Sequence, residues 1–141
     1  MREILFRGKT GLLDGSITWV NGSLITYPHN GKMEISTYKG YSAMAGSHMV
    51  EVREIYPETV GQYTGLEDKN GAKIFEGDIV IAKQGREQDR AVITFENGAF
   101  IVQPATDKIL EKTLWEYWWN DWDLEVIGNI HDNPELLEAT P

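Results

Sequence analysis

The sequence predicts a predominantly β protein of the α+β class, built as a small, curved, barrel-like antiparallel sheet of hairpins. Gly and Asn-Gly pairs punctuate the chain, and β-branched and aromatic residues fill the runs between them. One stretch in the C-terminal third has helical periodicity, and a short helical turn is predicted near the end. Short strands joined by tight turns hide their edges when the sheet curls or closes.

Two Asn-Gly pairs predict hairpins. β-rich runs flank Asn21-Gly22 in GSITWVNGSLITY, and AVITFENGAFIVQ repeats the arrangement around Asn97-Gly98. Both central residues of a type I′ turn need positive φ, which Asn and Gly adopt more readily than other residues. We therefore expect two strands joined by a two-residue turn in each stretch.

The middle stretch, VGQYTGLEDKNGAKIFEGDIVIA, is predicted to form three strands. Turns are expected at 68–71 and 76–78, and a further strand is expected earlier, at Met49–Tyr56. The side chains of Asp68 and Asn70 should hydrogen-bond the local backbone, as is typical of turns. The core candidates in and around this stretch are Tyr63, Phe75, Ile79 and Val80.

Four of the five tryptophans fall in LWEYWWNDWD. A helix is predicted over DKILEKTLWEYWWND, because the four indoles then lie at i, i+3, i+4 and i+7 and form one stripe. These residues are Trp115, Trp118, Trp119 and Trp122. A strand would instead place Trp115, Tyr117 and Trp119 on one face, and this alternative stays open.

Two further elements are predicted after the tryptophans. The run LEVIGNIH has the apolar content of a strand. Asn133 suits an N-cap and Pro134 the first helical position, so a short helical turn should begin there. Leu136 and Leu137 would hold this turn against the body of the protein.

Negative charge is concentrated at the C-terminal end. From Thr113 onward there are seven acids and no Lys or Arg, and the whole chain has a net charge of −9. Phosphate contacts supply most of the affinity for nucleic acid, and this field opposes them over roughly 8 Å at physiological salt. We therefore expect no nucleic-acid partner. The alternative is a small-barrel nucleic-acid face formed by Lys83, Arg86 and Arg90, and an acidic DNA mimic is a minority hypothesis.

Three stretches in order resemble one protein family. They are REILFRGK (Arg2–Lys9), PETVGQYTGLEDKNGAKIFEGDIV (Pro57–Val80) and EVIGNIHDNPELLE (Glu125–Glu138). Together they are similar to the YopX family of phage and prophage proteins. The resemblance implies a β-rich fold with some helix, a phage or prophage origin and a bacterial cytoplasmic location. It implies one YopX-like domain over 1–141, in which sub-domains 1–56 and 57–141 are conceivable, and it carries over no catalytic residues.

No constellation of residues predicts an enzyme. The chain has no cysteine, and the spacing of His29, His48 and His131 would not set two metal ligands on one face. A GxSxG nucleophile motif and a complete phosphate-binding loop are both missing. We expect no catalytic activity, no metal and no cofactor. No apolar run approaches the roughly 20 residues that cross a bilayer, which favours a cytoplasmic protein.

The tryptophan cluster is the candidate functional feature. Each indole offers about 150–250 Å² of buriable surface, more than one small domain readily hides. The cluster could pack in the core, mediate self-association, or contact a host protein or ligand. We predict an interaction surface formed by Trp115, Trp118, Trp119 and Trp122, with Asp121, Asp123 and Glu125 as its charged rim. The expected partners are further copies of the chain in a homo-oligomer, or a host protein with a basic or apolar surface.

Overall fold

The computed structural model describes residues 2–138, most of which lie in antiparallel strands. The strands are β1 (Phe6–Gly11), β2 (Ile17–Tyr27), β3 (Lys32–Ser42), β4 (Ser47–Ile55), β5 (Gly61–Glu67), β6 (Lys73–Phe75), β7 (Asp78–Gln84), β8 (Glu87–Glu96), β9 (Ala99–Pro104), β10 (Lys112–Thr113) and β11 (Asp123–Asn129). The α-helix is α1 (Leu114–Trp119), and 3-10 turns span Pro57–Thr59 and Pro134–Leu137. This mostly β architecture confirms the predicted fold class.

The chain forms two compact units, Met1–Tyr63 and Thr64–Pro141. The division falls inside β5: its first two residues pair with β1, and the strand belongs to the second unit from Thr64 onward. The single domain predicted from the sequence, with sub-domains 1–56 and 57–141, stays a prediction.

The first unit is a strongly curled sheet. Its strand order is β4-β3-β2-β1, followed by the start of β5. The end of β4 returns to β1, because the amide of Tyr56 donates to the Lys9 carbonyl at 2.9 Å and Thr10 Oγ1 donates to the Glu54 carbonyl at 2.7 Å. Ile35 is fully buried in this unit. The curvature is the barrel-like feature expected from the hairpins.

The hairpin predicted at Asn21-Gly22 is wrong, because β2 runs straight through both residues. Asn21 and Gly22 pair with β1, and the strand then changes neighbour, so that residues from Ser23 onward pair with β3. Glycine is needed here for space: a Cβ on Gly22 would lie 2.1 Å from the carbonyl oxygen of Ser36. A close backbone approach is a second reason for glycine inside a strand.

The second unit is an open sheet with a compact core. Its strand order is β10-β9-β8-β7-β11, and β6 pairs with β5. Within residues 64–138 the order has two edges, β10 and β11, so the predicted sheet forms without closing into a barrel. The fully buried apolar side chains of this unit include Ile74, Ile79, Val80, Ile93, Val102, Leu114 and Leu124.

Most turns and core residues lie where the sequence predicts them. Asn97 (φ 52°) and Gly98 (φ 82°) join β8 to β9 as the predicted two-residue turn. The turns at 68–71 and 76–78 separate β5, β6 and β7 as expected. The strand predicted at Met49–Tyr56 is β4, and β11 begins one residue before the predicted LEVIGNIH strand and ends two residues before its end. The four core candidates are all buried: Tyr63, Phe75, Ile79 and Val80.

The C-terminal turn forms where predicted but is capped differently. Asn133 occupies the N-cap position and Pro134 the first helical position. The Asn133 side chain makes no capping hydrogen bond, because its Oδ1 instead accepts from the amide of Asn129 at 3.3 Å. In the described range 2–138, none of the helices has the length and apolar character to cross a bilayer.

We expect Gly22→Ala to lower the free energy of unfolding by about 1–3 kcal/mol. The added methyl group would overlap the Ser36 carbonyl, which is backbone and cannot rotate away. Gly11→Ala is a matched control, since Gly11 also lies in a strand but its methyl would approach only Tyr56 Oη, at 3.3 Å. Urea denaturation measures both variants, and equal losses would contradict this explanation.

Candidate functional site

Helix α1 is short because both of its ends are fixed. At its start, Thr113 Oγ1 accepts from the Glu116 amide at 3.2 Å, and the Glu116 carboxylate accepts from the Thr113 amide at 3.1 Å. This reciprocal pair is a capping box. The predicted helix began several residues earlier, but Lys112 and Thr113 pair with β9 instead. The helical interpretation is therefore confirmed in type and wrong in extent.

The helix ends in a Schellman motif before it reaches Trp122. Asp121 adopts the left-handed conformation at φ 59°, its amide donates to the Trp118 carbonyl at 3.4 Å, and the Trp122 amide donates to the Tyr117 carbonyl at 3.2 Å. Such motifs commonly carry an apolar contact between the two residues of the longer bond. Here the Trp122 ring meets the Tyr117 ring edge-on, with centroids 4.9 Å apart.

The core-facing positions of α1 are occupied by Leu114 and Tyr117 and not by tryptophans. Leu114 and Tyr117 are 1% and 2% exposed, three residues apart on one helix face, and the Tyr117 hydroxyl donates to the Leu110 carbonyl. Trp115, Trp118 and Trp119 are 57%, 47% and 64% exposed. The prediction of one stripe of four tryptophans is therefore wrong, and so is the core interpretation for these three residues. Trp122 alone of the four packs against the core.

Trp118 and Trp119 border an open groove of about 660 Å³, which we call the tryptophan groove. Its residues come from the end of α1, the start of β11 and the turn after β5. They are Glu67, Asp68, Lys69, Trp118, Trp119, Asp121, Trp122, Asp123 and Leu124. Five of the seven residues predicted for the interaction surface lie together here, whereas Trp115 and Glu125 do not line the groove.

The two residues outside the groove contact its lining. Trp115 stacks on Trp119, with ring centroids 5.4 Å apart and planes within 6° of parallel. Glu125 lies 3.2 Å from the ammonium group of Lys69, so this pair sits at the border. Sequence reasoning missed the contribution of the turn, Glu67 to Lys69, because nothing local in the sequence indicates that it meets β11.

Asp68 fastens that turn to β11. Its carboxylate accepts hydrogen bonds from the amides of Asn70, Ala72 and Val126, each at 2.9 Å. Two of these bonds are the predicted local ones, and the third crosses 58 residues of sequence. Burial by itself raises the pKa of Asp68, but the backbone hydrogen bonds together outweigh it, and the pKa lies below its usual value.

Comparison with known proteins identifies the family. The family described as YopX protein matches residues 13–138. The chain belongs to the YopX family. Among solved structures, the YopX chain is similar to the crystal structure of protein EF1440 from Enterococcus faecalis, with 25% identity and a TM-score of 0.56. The match covers 98% of this chain and 100% of that one. No curated protein matches.

The alternative nucleic-acid face of the YopX chain is interrupted by acids. Lys83 lies on the same face of the second-unit sheet as Arg90, and Arg86 lies in the turn between their strands. The register with β11, however, places Asp123 directly beside Lys83, and Glu125 follows on the same face. The two cations in the strands are therefore matched by two anions, which weakens attraction for phosphate.

The histidines of the YopX chain are dispersed. His48 approaches the Tyr38 hydroxyl at 2.9 Å and packs against the ring of Tyr41. His29 packs against Tyr27, and His131 lies just beyond β11. Over residues 2–138, no three side chains of the metal-ligating types cluster as an ion would require.

We expect Asp68→Asn to reduce stability at pH 7 by about 1–3 kcal/mol, since a charged acceptor of three amides is lost. The folded pKa is depressed, so the contribution is present above the unfolded value of about 3.9 and is lost as pH falls through the folded pKa. The gap between wild type and variant should therefore narrow below about pH 4. Urea denaturation from pH 7 to pH 2.5 measures it, with the exposed Asp107→Asn as control. A gap that is constant with pH would contradict this role.

We expect Asp121→Gly to raise the free energy of unfolding by up to about 1 kcal/mol, because glycine adopts the left-handed conformation without a Cβ penalty. Asp123→Gly should have the opposite effect, a loss of about 0.5–1 kcal/mol, because Asp123 lies in a strand. Both changes remove one carboxylate, so their opposite signs separate backbone conformation from charge. Thermal denaturation measures the change in the free energy of unfolding for each variant. Changes of the same sign in both variants would refute the explanation.

Proposed function

We propose that this YopX protein is a phage or prophage accessory protein of the bacterial cytoplasm that binds other protein molecules and has no enzymatic activity. The binding surface is the tryptophan groove together with the stacked rings of Trp115 and Trp119. One observation carries the proposal: Leu114 and Tyr117 fill the core positions of α1, which leaves three indoles exposed on a helix fixed at both ends.

Exposed indoles of this kind are typical of interface centres. Aromatic residues are enriched there, and tryptophan is among the residues whose truncation costs the most binding energy. A specific interface needs about 1,000 Å² of total buried surface. A ring offers about 150–250 Å² in all, and roughly half of each of the three rings is still exposed and can contribute. The proposed partners are a second copy of the chain, which would give a homo-oligomer, or a host protein with a basic or apolar surface.

The alternative functions have weaker support. A nucleic-acid face would use Lys83, Arg86 and Arg90, but Asp123 and Glu125 share the sheet face of Lys83 and Arg90. For a DNA mimic, the groove carboxylates would have to imitate a row of phosphates, and they are instead interspersed with indole rings. We therefore favour protein–protein contact.

We expect the double change Trp118→Ala with Trp119→Ala to weaken self-association or capture of a bacterial partner at least about 30-fold, the range of an interface hot spot. The variant should still fold, because neither ring belongs to the buried core. Sedimentation velocity over a range of concentrations and quantitative capture from bacterial lysate are the measurements. Phe95→Ala removes an equally exposed aromatic ring of the same unit outside the groove and is the control.

Two results together would refute the proposal. The wild-type chain would have to remain monomeric at high concentration, and it would have to capture the same proteins as the double variant.

A further inference from the structure

We infer that the tryptophan groove binds the guanidinium group of an arginine side chain presented by the partner protein. The inference rests on the proposed function, because it names the chemistry of the partner at the same site. It follows from the charges of the groove, the geometry of its rings and its size.

The charges of the groove favour a cation. Asp68 is committed to three backbone amides, and Lys69 is paired with Glu125. The other charged lining residues are the exposed acids Glu67, Asp121 and Asp123. Lys83 is the strand neighbour of Asp123 but is not part of the lining. An incoming positive group therefore meets a net negative wall, whereas a phosphate would be repelled.

The rings of the groove favour a planar cation. Tryptophan is the best aromatic partner for cation–π contact, and guanidinium groups stack on indole faces. Trp115 covers one face of Trp119 in a near-parallel stack, and the Trp119 side chain is still 64% exposed. Trp122 is held edge-on against Tyr117 and by the backbone bond at the helix end, so the wall is preorganised.

The size of the groove favours a side chain on a peptide over a free small cation. An open space of about 660 Å³ is larger than one guanidinium group and has room for neighbouring residues. The carboxylates of Asp121 and Asp123 flank Trp122 in sequence and line the same space as its ring. Arginine can donate to carboxylates through its edge while its face lies on an indole.

The test uses the full-length chain and three blocked pentapeptides, Gly-Leu-Xaa-Leu-Gly, in which Xaa is arginine, lysine or citrulline. Citrulline preserves the shape of arginine and removes its charge. Calorimetry gives affinities, and nitrogen-15 NMR shifts of the indole N–H groups locate the peptide. We expect the arginine peptide to bind about threefold tighter than the lysine peptide and about tenfold tighter than the citrulline peptide, in the range of cation–π and charged contacts. The indole signals of Trp118, Trp119 and Trp122 should move.

Groove variants make the test specific. Asp121→Asn keeps a residue type that tolerates the left-handed conformation and removes one charge, so it should weaken arginine-peptide binding about threefold to tenfold without unfolding the helix end. Asp123→Asn should act similarly. Asp107→Asn removes an exposed acid outside the lining and should leave the affinity unchanged. Raising the salt concentration should weaken binding.

Several results would overturn the inference. Equal affinities for the citrulline and arginine peptides would mean an apolar docking site, and equal affinities for the lysine and arginine peptides would mean a site for point charges. No effect of Asp121→Asn, or no arginine-peptide binding at all, would also overturn it. If the Trp118→Ala, Trp119→Ala double change abolishes association but none of the peptides binds, only this inference is wrong and the proposed function stands. If arginine peptide binds but no association or capture depends on the two rings, the proposed function falls.

Discussion

The hydrogen bonds to the buried carboxylate of Asp68 are the interaction on which the groove depends. A buried charge is costly unless it is fully hydrogen-bonded, and three amides meet this need here. Because one of those amides belongs to Val126, closing the turn and attaching it to β11 are the same event. Glu67 and Lys69 thereby come to lie across from the end of α1, and an exposed helix end becomes one wall of a groove.

The second constraint is the length of α1. A capping box fixes its start and a left-handed residue fixes its end, so only six residues are helical. In so short a helix the core can accept only one pair of side chains, Leu114 and Tyr117. The three indoles of the helix, Trp115, Trp118 and Trp119, are therefore left largely exposed despite their size. The protein thus displays its largest aromatic side chains because of backbone geometry, and the binding surface is a direct result.

The strands, their tight turns and the core of the second unit could be predicted from residue patterns, because each depends on local chemistry. The dipeptide Asn-Gly shows the limit. Asn97-Gly98 forms the expected turn, whereas Asn21-Gly22 lies inside a strand because the Ser36 carbonyl packs against the glycine. That neighbour is distant in sequence, and local propensity contains no information about it.

The candidate site, too, could be predicted only where it depends on residues that are close together in sequence. Most of its indoles and acids are close together in sequence, so the residue pattern alone identifies them as a cluster. The choice of which ring faces the core depends on where the helix begins, and this depends on the pairing of Lys112 and Thr113 with β9. The far wall depends on a hydrogen bond that spans 58 residues. Neither relation has a local signal in one sequence.

The return of β4 to β1 has a consequence for how the first unit assembles. Its hairpins join neighbouring strands, whereas Thr10 and Glu54 are 44 residues apart. Contacts between distant residues must offset a larger loop-closure entropy, so we expect this contact to form after the hairpins. Until then the outer edges of β1 and β4 are open to pairing with other chains. We therefore expect slower docking of β4 on β1 to lengthen the time for which a newly made chain is exposed to aggregation.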